Sequence, residues 1–275
     1  MKAILKTENV NAYIDLHKKM KIPFTLTLST YTARIKSNFC DIHFMKSEQP
    51  MRVFCAYNMI KADVIKHPIK KVNTGSLQYF SQSFKNEDFY SDVIFNIDIK
   101  SAYATILKND GLISAKTFDF INKLPKQERL TAVGMLAGKK NIFEMDAYGN
   151  CINDKTEISK TADYFFYCVK RTSQHINKIA SHLGNAFLFS WVDGVYFLQD
   201  EKASNTAGRI LTEYLKEQKF MASYDKLNEF EVLVKKDYYN CTFKKNNKEK
   251  VLNIPRPENE IITKITNQLL TKQYN

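Results

Sequence analysis

Residues 93–99, VIFNIDI, constrain the fold of this chain more than any other segment. They are almost continuously apolar and rich in β-branched side chains, which is typical of a strand buried inside a sheet. The next segment, SAYATILKN at 101–109, has helical character. Asp98 comes at the end of the apolar run, so the sequence predicts a buried strand that delivers a carboxylate where a helix begins.

A second apolar segment carries a carboxylate at a turn. Residues 186–198, AFLFSWVDGVYFL, contain two short apolar strands on either side of Asp193-Gly194. This dipeptide between apolar strands is a strong signal for a tight hairpin. Asp193 is therefore expected at the tip of an apolar hairpin.

Both carboxylates are expected at the edge of a core, where charge is costly. Two carboxylates placed close together raise one pKa sharply unless a cation lies between them, and carboxylate oxygens favour Mg²⁺ or Mn²⁺. A metal pair held in this way stabilises the attacking and leaving oxygens of an in-line phosphoryl transfer. The alternative is purely structural, because Asp-Gly is a common turn and an aspartate can cap a helix.

The charge balance indicates an anionic partner. Lys and Arg number 41 against 29 Asp and Glu, a net charge of +12, which favours nucleic acid, although a solvated lysine-rich surface gives the same balance. No secretory signal or long apolar run is seen, so we expect a cytoplasmic protein with no membrane partner. The five cysteines lack metal-site spacing and are expected to be reduced core thiols.

The remaining periodicity predicts a mixed order of helices and strands. The expected helices cover 8–20, the residues after Pro125, 162–183, 204–217 and a last segment after Pro257. The expected strands cover 24–28, 39–45, 52–58 and 229–239, and a hairpin is expected at 142–152 around Tyr148-Gly149-Asn150. Residues 244–250, KKNNKEK, are expected to form a solvated loop.

Three segments resemble motifs of family B DNA polymerases, in the same order along the chain. Residues 95–107 resemble motif A, with its Asp-x-x-Ser-x-Tyr pattern, and residues 190–197 resemble the motif C hairpin. Residues 231–239 resemble the later Lys-x-Tyr motif. The matching residues are Asp98, Ser101 and Tyr103 in the first segment, Asp193 in the second, and Lys236 and Tyr238 in the third.

The resemblance implies a role for each matching residue. Asp98 and Asp193, with the backbone carbonyl of Ile99, would bind two Mg²⁺ or Mn²⁺ ions. Motif B is eroded to the cation and one small residue in RLTAVGMLA at 129–137. The implied nucleotide-binding residues are Ser101, Tyr103, Lys126 and Arg129, with Tyr103 as steric gate, and the implied nucleic-acid-binding residues are Lys235, Lys236 and Tyr238.

The resemblance also implies an α+β fold with a polymerase palm, an antiparallel sheet with packed helices, and reduced fingers and thumb. No Asp-x-Glu exonuclease motif precedes the palm, so we expect no proofreading. The implied partners are a DNA primer–template (or RNA), deoxynucleotides and an accessory or priming protein. The expected boundaries are an N-terminal α+β unit of unknown role at 1–75, palm at 76–112 and 141–240, fingers at 113–140, and a thumb-like or helical tail at 241–275.

Three other functions remain open from the sequence. Motifs A and C also resemble those of reverse transcriptases, although Gly194 replaces the second adjacent aspartate of that family. A palm-shaped regulatory protein without catalysis would explain the eroded motif B. A nuclease would use the same two-metal chemistry.

Overall fold

The computed structural model describes residues 4–6, 8–45, 50–77, 80–83, 87–198 and 201–256. These residues form a mixed α+β protein with predominantly antiparallel sheets. The strands are β1 (Ile4–Lys6), β2 (Phe24–Ser29), β3 (Thr32–Lys36), β4 (Asp41–Met45), β5 (Phe80–Gln82), β6 (Phe89–Ile99), β7 (Lys139–Met145), β8 (Cys151–Ile158), β9 (Phe187–Trp191), β10 (Gly194–Leu198), β11 (Ala222–Val234), β12 (Tyr238–Lys245) and β13 (Lys248–Pro255).

The helices lie in the segments between these strands. They are α1 (Glu8–Lys19), α2 (Met51–Val64), α3 (Ala102–Asn109), α4 (Ala115–Asn122), α5 (Lys126–Gly134), α6 (Ala162–Leu183), α7 (Glu201–Arg209) and α8 (Leu215–Glu217), and the π-helical turn Ile210–Tyr214 joins the last two.

The first of two compact units contains the described residues up to 68 together with 123–165. Its sheet has the strand order β1-β4-β3-β2-β7-β8, and only the β1–β4 pair is parallel. Its core contains Val10 from α1 against apolar side chains of the strands, among them Phe24, Ile35 and Phe44. The alternation of buried and exposed residues along β3 therefore follows from one covered sheet face.

The second unit contains the described residues of 69–122 and 166–272. Its sheet has the order β13-β12-β11-β6-β10-β9-β5, and all its pairs are antiparallel. The apolar residues of one sheet face form a core cluster: Ile94, Leu188, Phe189, Leu227, Phe230, Val232, Tyr239, Cys241, Phe243 and Ile254. Strand β6 lies inside the sheet, as its apolar sequence predicts.

Most of the predicted elements are confirmed, but two predicted strands are not. Residues 229–239 contain the end of β11, a turn and the start of β12. Residues 52–58 lie in helix α2 rather than in a strand, with Val53, Ala56, Ile60 and Val64 buried. This spacing of three and four residues is that of one helix face. Residues 52–58 alone are too few to distinguish the helical period of about 3.6 residues from the strand period of about two.

The hairpin predicted around Tyr148-Gly149-Asn150 is present as β7 and β8. The sequence assigns this hairpin to the palm, whereas β7 pairs with β2 in the first unit. The segment 113–140, assigned to the fingers, contributes α4 to the second unit and α5 to the first. The first unit is thus built from two separate stretches of chain.

Near the C-terminus the structure replaces a predicted loop with a hairpin. Residues 244–250 contain the end of β12, a two-residue turn and the start of β13. Residues 241–245 and 248–255 are strand, so this part of the predicted tail is not helical. The final predicted helix, after Pro257, lies outside the described residues.

Within the described part of the chain, none of the helices combines the length and apolar character needed to cross a bilayer. The expectation of core thiols holds for Cys168 and Cys241, which are buried, and is wrong for Cys55 and Cys151, which are exposed. Burial raises the pKa of the Cys168 thiol, and it raises that of Cys241 to about 12.

These differences predict a labelling pattern. N-ethylmaleimide at about pH 8, near the ordinary thiol pKa, is expected to modify Cys55 and Cys151 in the native protein within minutes. Cys168 and Cys241 should react only after denaturation, because burial blocks access and suppresses the reactive thiolate. Peptide mass spectrometry over time measures each site, and fast native labelling of either buried cysteine would contradict this packing.

Candidate active site

The predicted carboxylate Asp98 lies on an inner strand, with a hydrogen-bonded neighbour on each side. In the ladder, Asp98 pairs with Gly194 of β10 and with Ser223 of β11. The side chains of directly opposed residues project from the same face of an antiparallel sheet. Asp98, Gly194 and Ser223 therefore form a row across three strands. The Asp98 side chain is half-buried, and its two neighbours in the row are small.

The second carboxylate lies at the turn between β9 and β10. The pairing of Trp191 with Gly194 leaves Val192 and Asp193 as the turn residues, one position earlier than the predicted Asp-Gly turn. Val192 has φ of 54°, a left-handed conformation that is unfavourable for a β-branched residue. The hairpin is held in this form at a local cost in backbone strain.

A backbone hydrogen bond joins the two carboxylate positions. The Ile99 N–H donates to the Asp193 carbonyl at 2.9 Å. In a strand the N–H and C=O of one residue point to the same side, so the Ile99 carbonyl is also directed towards the hairpin. Asp98, Asp193 and Ile99 thus lie at the same end of the sheet.

Gly194 lets its neighbours pack closely at this end of the sheet. A Cβ atom added at this position would lie 3.2 Å from Nδ2 of Asn96, 3.3 Å from the ring of Tyr196 and 3.6 Å from Oδ1 of Asp98. Asn96 is buried and donates to the Val195 carbonyl, so it has little freedom to move. Gly194 is itself buried, so a side chain here would crowd Asn96 and Tyr196 and contact the Asp98 carboxylate.

Tyr196 lies close enough to the carboxylates for their charges to affect its pKa. Its ring stacks on Phe189 with a centroid distance of 4.1 Å. Burial raises the pKa of its hydroxyl, and the charges of Asp98, Asp193 and Asp225 raise it further. Tyr196 is therefore neutral at physiological pH and adds no charge to the carboxylates.

The helix after Asp98 places Ser101 and Tyr103. Ser101 adopts φ of 52°, and this left-handed residue turns the chain from β6 directly into α3. The Cys168 thiol of α6 lies 3.8 Å from the Tyr103 carbonyl. At the far end of α3, Asp110 accepts hydrogen bonds from α6, at 2.7 Å from Tyr167 and 3.2 Å from Arg171. Helix α6 thus fixes α3 at both ends.

The remaining predicted residues are not part of this row. Lys126 and Arg129 belong to α5 in the first unit, where an Arg129 N–H donates to the Leu124 carbonyl at 3.0 Å. Lys235 and Lys236 lie in the β11–β12 turn and Tyr238 begins β12. Val234, the last residue of β11 before that turn, is eleven residues beyond Ser223, roughly 36 Å along β11 at about 3.3 Å per residue.

A divalent cation fits the donors at the Asp98 end. Two carboxylates and a backbone carbonyl are all hard oxygen ligands, which suit Mg²⁺ or Mn²⁺. Among the described residues there is no group of three or more His, Cys, Asp or Glu side chains arranged for a metal ion. Mg²⁺ often binds proteins through one or two carboxylates and takes its other ligands from water and substrate phosphate.

Sequence reasoning missed a third carboxylate on this face. Asp225 pairs with Asn96 and accepts from the Lys245 ammonium at 2.7 Å and from the Ser223 hydroxyl at 3.1 Å. The signal available in the sequence was the two-residue spacing of Ser223, Asp225 and Leu227. This spacing places the three side chains on one face of β11, the face that also carries Asp98.

No model of a known protein family matches the chain, and no curated protein matches it. The resemblance to family B DNA polymerases consequently depends on the short motifs alone. The function has to be argued from the geometry of the Asp98 end of the sheet.

The close packing around Gly194 gives a matched pair of substitutions. Gly194→Ala is expected to lower the free energy of unfolding by about 1–3 kcal/mol, because the added methyl overpacks against Asn96 and Tyr196. Gly208→Ala should raise it by about 0.5–1 kcal/mol, because this helical glycine has open space around it. Urea denaturation measures both, and equal effects in the two variants would refute the packing described for Gly194.

Proposed function

We propose that this protein is a nucleotidyltransferase, a small family B-like DNA polymerase that extends a primer without proofreading. The observation that carries the proposal is the pairing of the two carboxylate strands. Asp98 lies on β6 and Asp193 in the turn that leads into the neighbouring β10, and the 2.9 Å Ile99–Asp193 backbone hydrogen bond joins the two segments beside Gly194. The motif resemblance supports the same assignment.

Asp98, Asp193 and the Ile99 carbonyl are the residues that would hold Mg²⁺ or Mn²⁺. When bound, two such ions stabilise charge on the attacking and leaving oxygens of a phosphoryl transfer. The β6–β10 pairing keeps the two carboxylates in place before substrate arrives, so little reorganisation is needed at reaction. The neutral Tyr196 limits the negative charge that an incoming phosphate meets.

The residues after Asp98 are proposed to receive the nucleotide. Ser101 and Tyr103 lie in the turn and first helical turn that follow the carboxylate, and Tyr103 would contact the sugar as steric gate. Lys126 and Arg129 are proposed for the triphosphate on the motif resemblance, since guanidinium and ammonium groups bind phosphate well. A primer–template, deoxynucleotides and an accessory or priming protein are the proposed partners.

Primer extension tests the proposal directly. On a primed DNA template with Mg²⁺ or Mn²⁺, Asp98→Asn and Asp193→Asn are each expected to reduce incorporation by about a thousandfold, since metal stabilisation of several kcal/mol is lost. Asp92→Asn is the matched control. Asp92 is an exposed aspartate of the same strand whose described partner is the Tyr90 hydroxyl at 2.9 Å, so incorporation should stay at the wild-type level.

The experiment has clear contrary outcomes. Equal activity in Asp98→Asn and the wild type would reject the two-carboxylate mechanism. Extension on RNA but not on DNA would favour the reverse-transcriptase-like alternative. Shortening of the labelled primer instead of growth would favour a nuclease, and a wild type inactive on DNA, RNA and without template would leave a non-catalytic palm.

A further inference from the structure

The β12–β13 hairpin presents lysines at defined positions. Asn246 and Asn247 form its turn, with φ of 50° and 59°, and asparagine tolerates this conformation better than most residues. The turn sets Lys245 opposite Lys248, and Lys250 is opposite Phe243. Because side chains alternate along a strand, Lys245, Lys248 and Lys250 project from one sheet face. We call these three residues the lysine strip.

The lysine strip projects from the same sheet face as Asp98. Phe243, two residues before Lys245, contacts the ring of Tyr196 at a centroid distance of 5.9 Å, and Tyr196 shares a face with Asn96 and Asp98. The Lys245 ammonium reaches Asp225 at 2.7 Å. Asp225 is two residues along β11 from the partner of Asp98, so this ammonium lies within about 10 Å of Asp98.

The two faces of the hairpin differ in charge compensation. On the opposite face, Lys244 forms an ion pair with Glu229 and is paired across the strands with Glu249. On the face of the lysine strip, Asp225 compensates Lys245. Lys248 and Lys250 are exposed and form no ion pair with any residue that the structure describes.

The facing lysines carry an energetic cost in the free protein. Like charges directly opposite each other across two strands are destabilising, and Lys245 faces Lys248 in this way. An anion with regularly spaced charges would relieve this repulsion. A nucleic-acid backbone is such an anion, and it binds lysines with little dependence on sequence.

We propose that the lysine strip binds the phosphate backbone of the primer–template duplex and guides it to the Asp98 end of the sheet. The inference depends on the proposed function, which supplies the reason for a duplex to reach these carboxylates. Lys235 and Lys236 lie in the turn at the other end of β11, so a strand held there would be far from Asp98. The strip takes the role that the motif resemblance gives to that turn.

Duplex binding without divalent ions or nucleotides tests the inference apart from catalysis. Fluorescence anisotropy of a labelled primer–template would compare the wild type with Lys248→Gln/Lys250→Gln over a range of salt concentrations. The control is Lys235→Gln/Lys236→Gln, which removes two exposed lysines from the other end of β11. Both double variants lose the same charge.

The strip variant is expected to bind about tenfold to a hundredfold more weakly near 0.1 M salt, and its logarithmic salt slope should be shallower by about 1.8, or 0.9 for each lost phosphate contact. The control should keep the wild-type slope. In addition, the strip variant should have a higher melting temperature than the wild type as the free protein, because it lacks the Lys248 charge that faces Lys245. Weaker binding by a more stable protein excludes unfolding as the cause.

Three results would overturn the inference: wild-type binding by the strip variant, an equal loss in the control, or no duplex binding by the wild type. Failure of the inference can be distinguished from failure of the proposed function. If the binding difference appears and the wild type extends no primer, the lysine strip remains a nucleic-acid surface and the polymerase proposal fails. If extension occurs but binding depends on Lys235 and Lys236, the polymerase remains and the strip fails.

Discussion

The backbone ladder around β6 is the interaction on which the rest of the candidate site depends. Asp98 has a fixed place because β6 is hydrogen-bonded to β10 on one side and to β11 on the other. In a strand held on both sides, a slip by one residue would turn Asn96 and Asp98 to the face occupied by Ile97 and Ile99. The apolar residues that bury β6 thereby also determine which carboxylate comes next to Gly194.

That arrangement includes several locally unfavourable features at one end of the sheet. Val192 and Ser101 hold left-handed backbone conformations close in sequence to the two aspartates, and burial, together with the charges of the half-buried carboxylates, raises the pKa of Tyr196. Strained residues persist only where the surrounding structure determines them strongly. Here the surrounding structure is the aromatic and aliphatic cluster around Phe189 and Phe230, so a well-packed core supports a polar and strained edge.

The sequence predicted the strand over 93–99, the hairpin after α6 and helix α6 itself, because each is long or strongly periodic. It misplaced the turn by one residue, since Asp-Gly usually forms the turn itself whereas here Gly194 is needed beside Asn96. It missed the pairing of β7 with β2, because contacts between distant segments leave no local pattern. It also took 244–250 for a loop, because the Asn-Asn turn was hidden among charged residues.

Hairpins also explain why proximity along the chain does not identify the lysines that lie near the carboxylates. Lys235 is nearer to Asp193 along the chain than Lys245 is, yet β11 runs away from the carboxylates and β12 returns towards them. Ten residues of additional chain therefore bring a lysine back to Asp225. In an antiparallel sheet, alternate turns lie at the same end. The register and the sheet face of a lysine, rather than its distance from a motif along the chain, therefore identify which cations can act with Asp98 and Asp193.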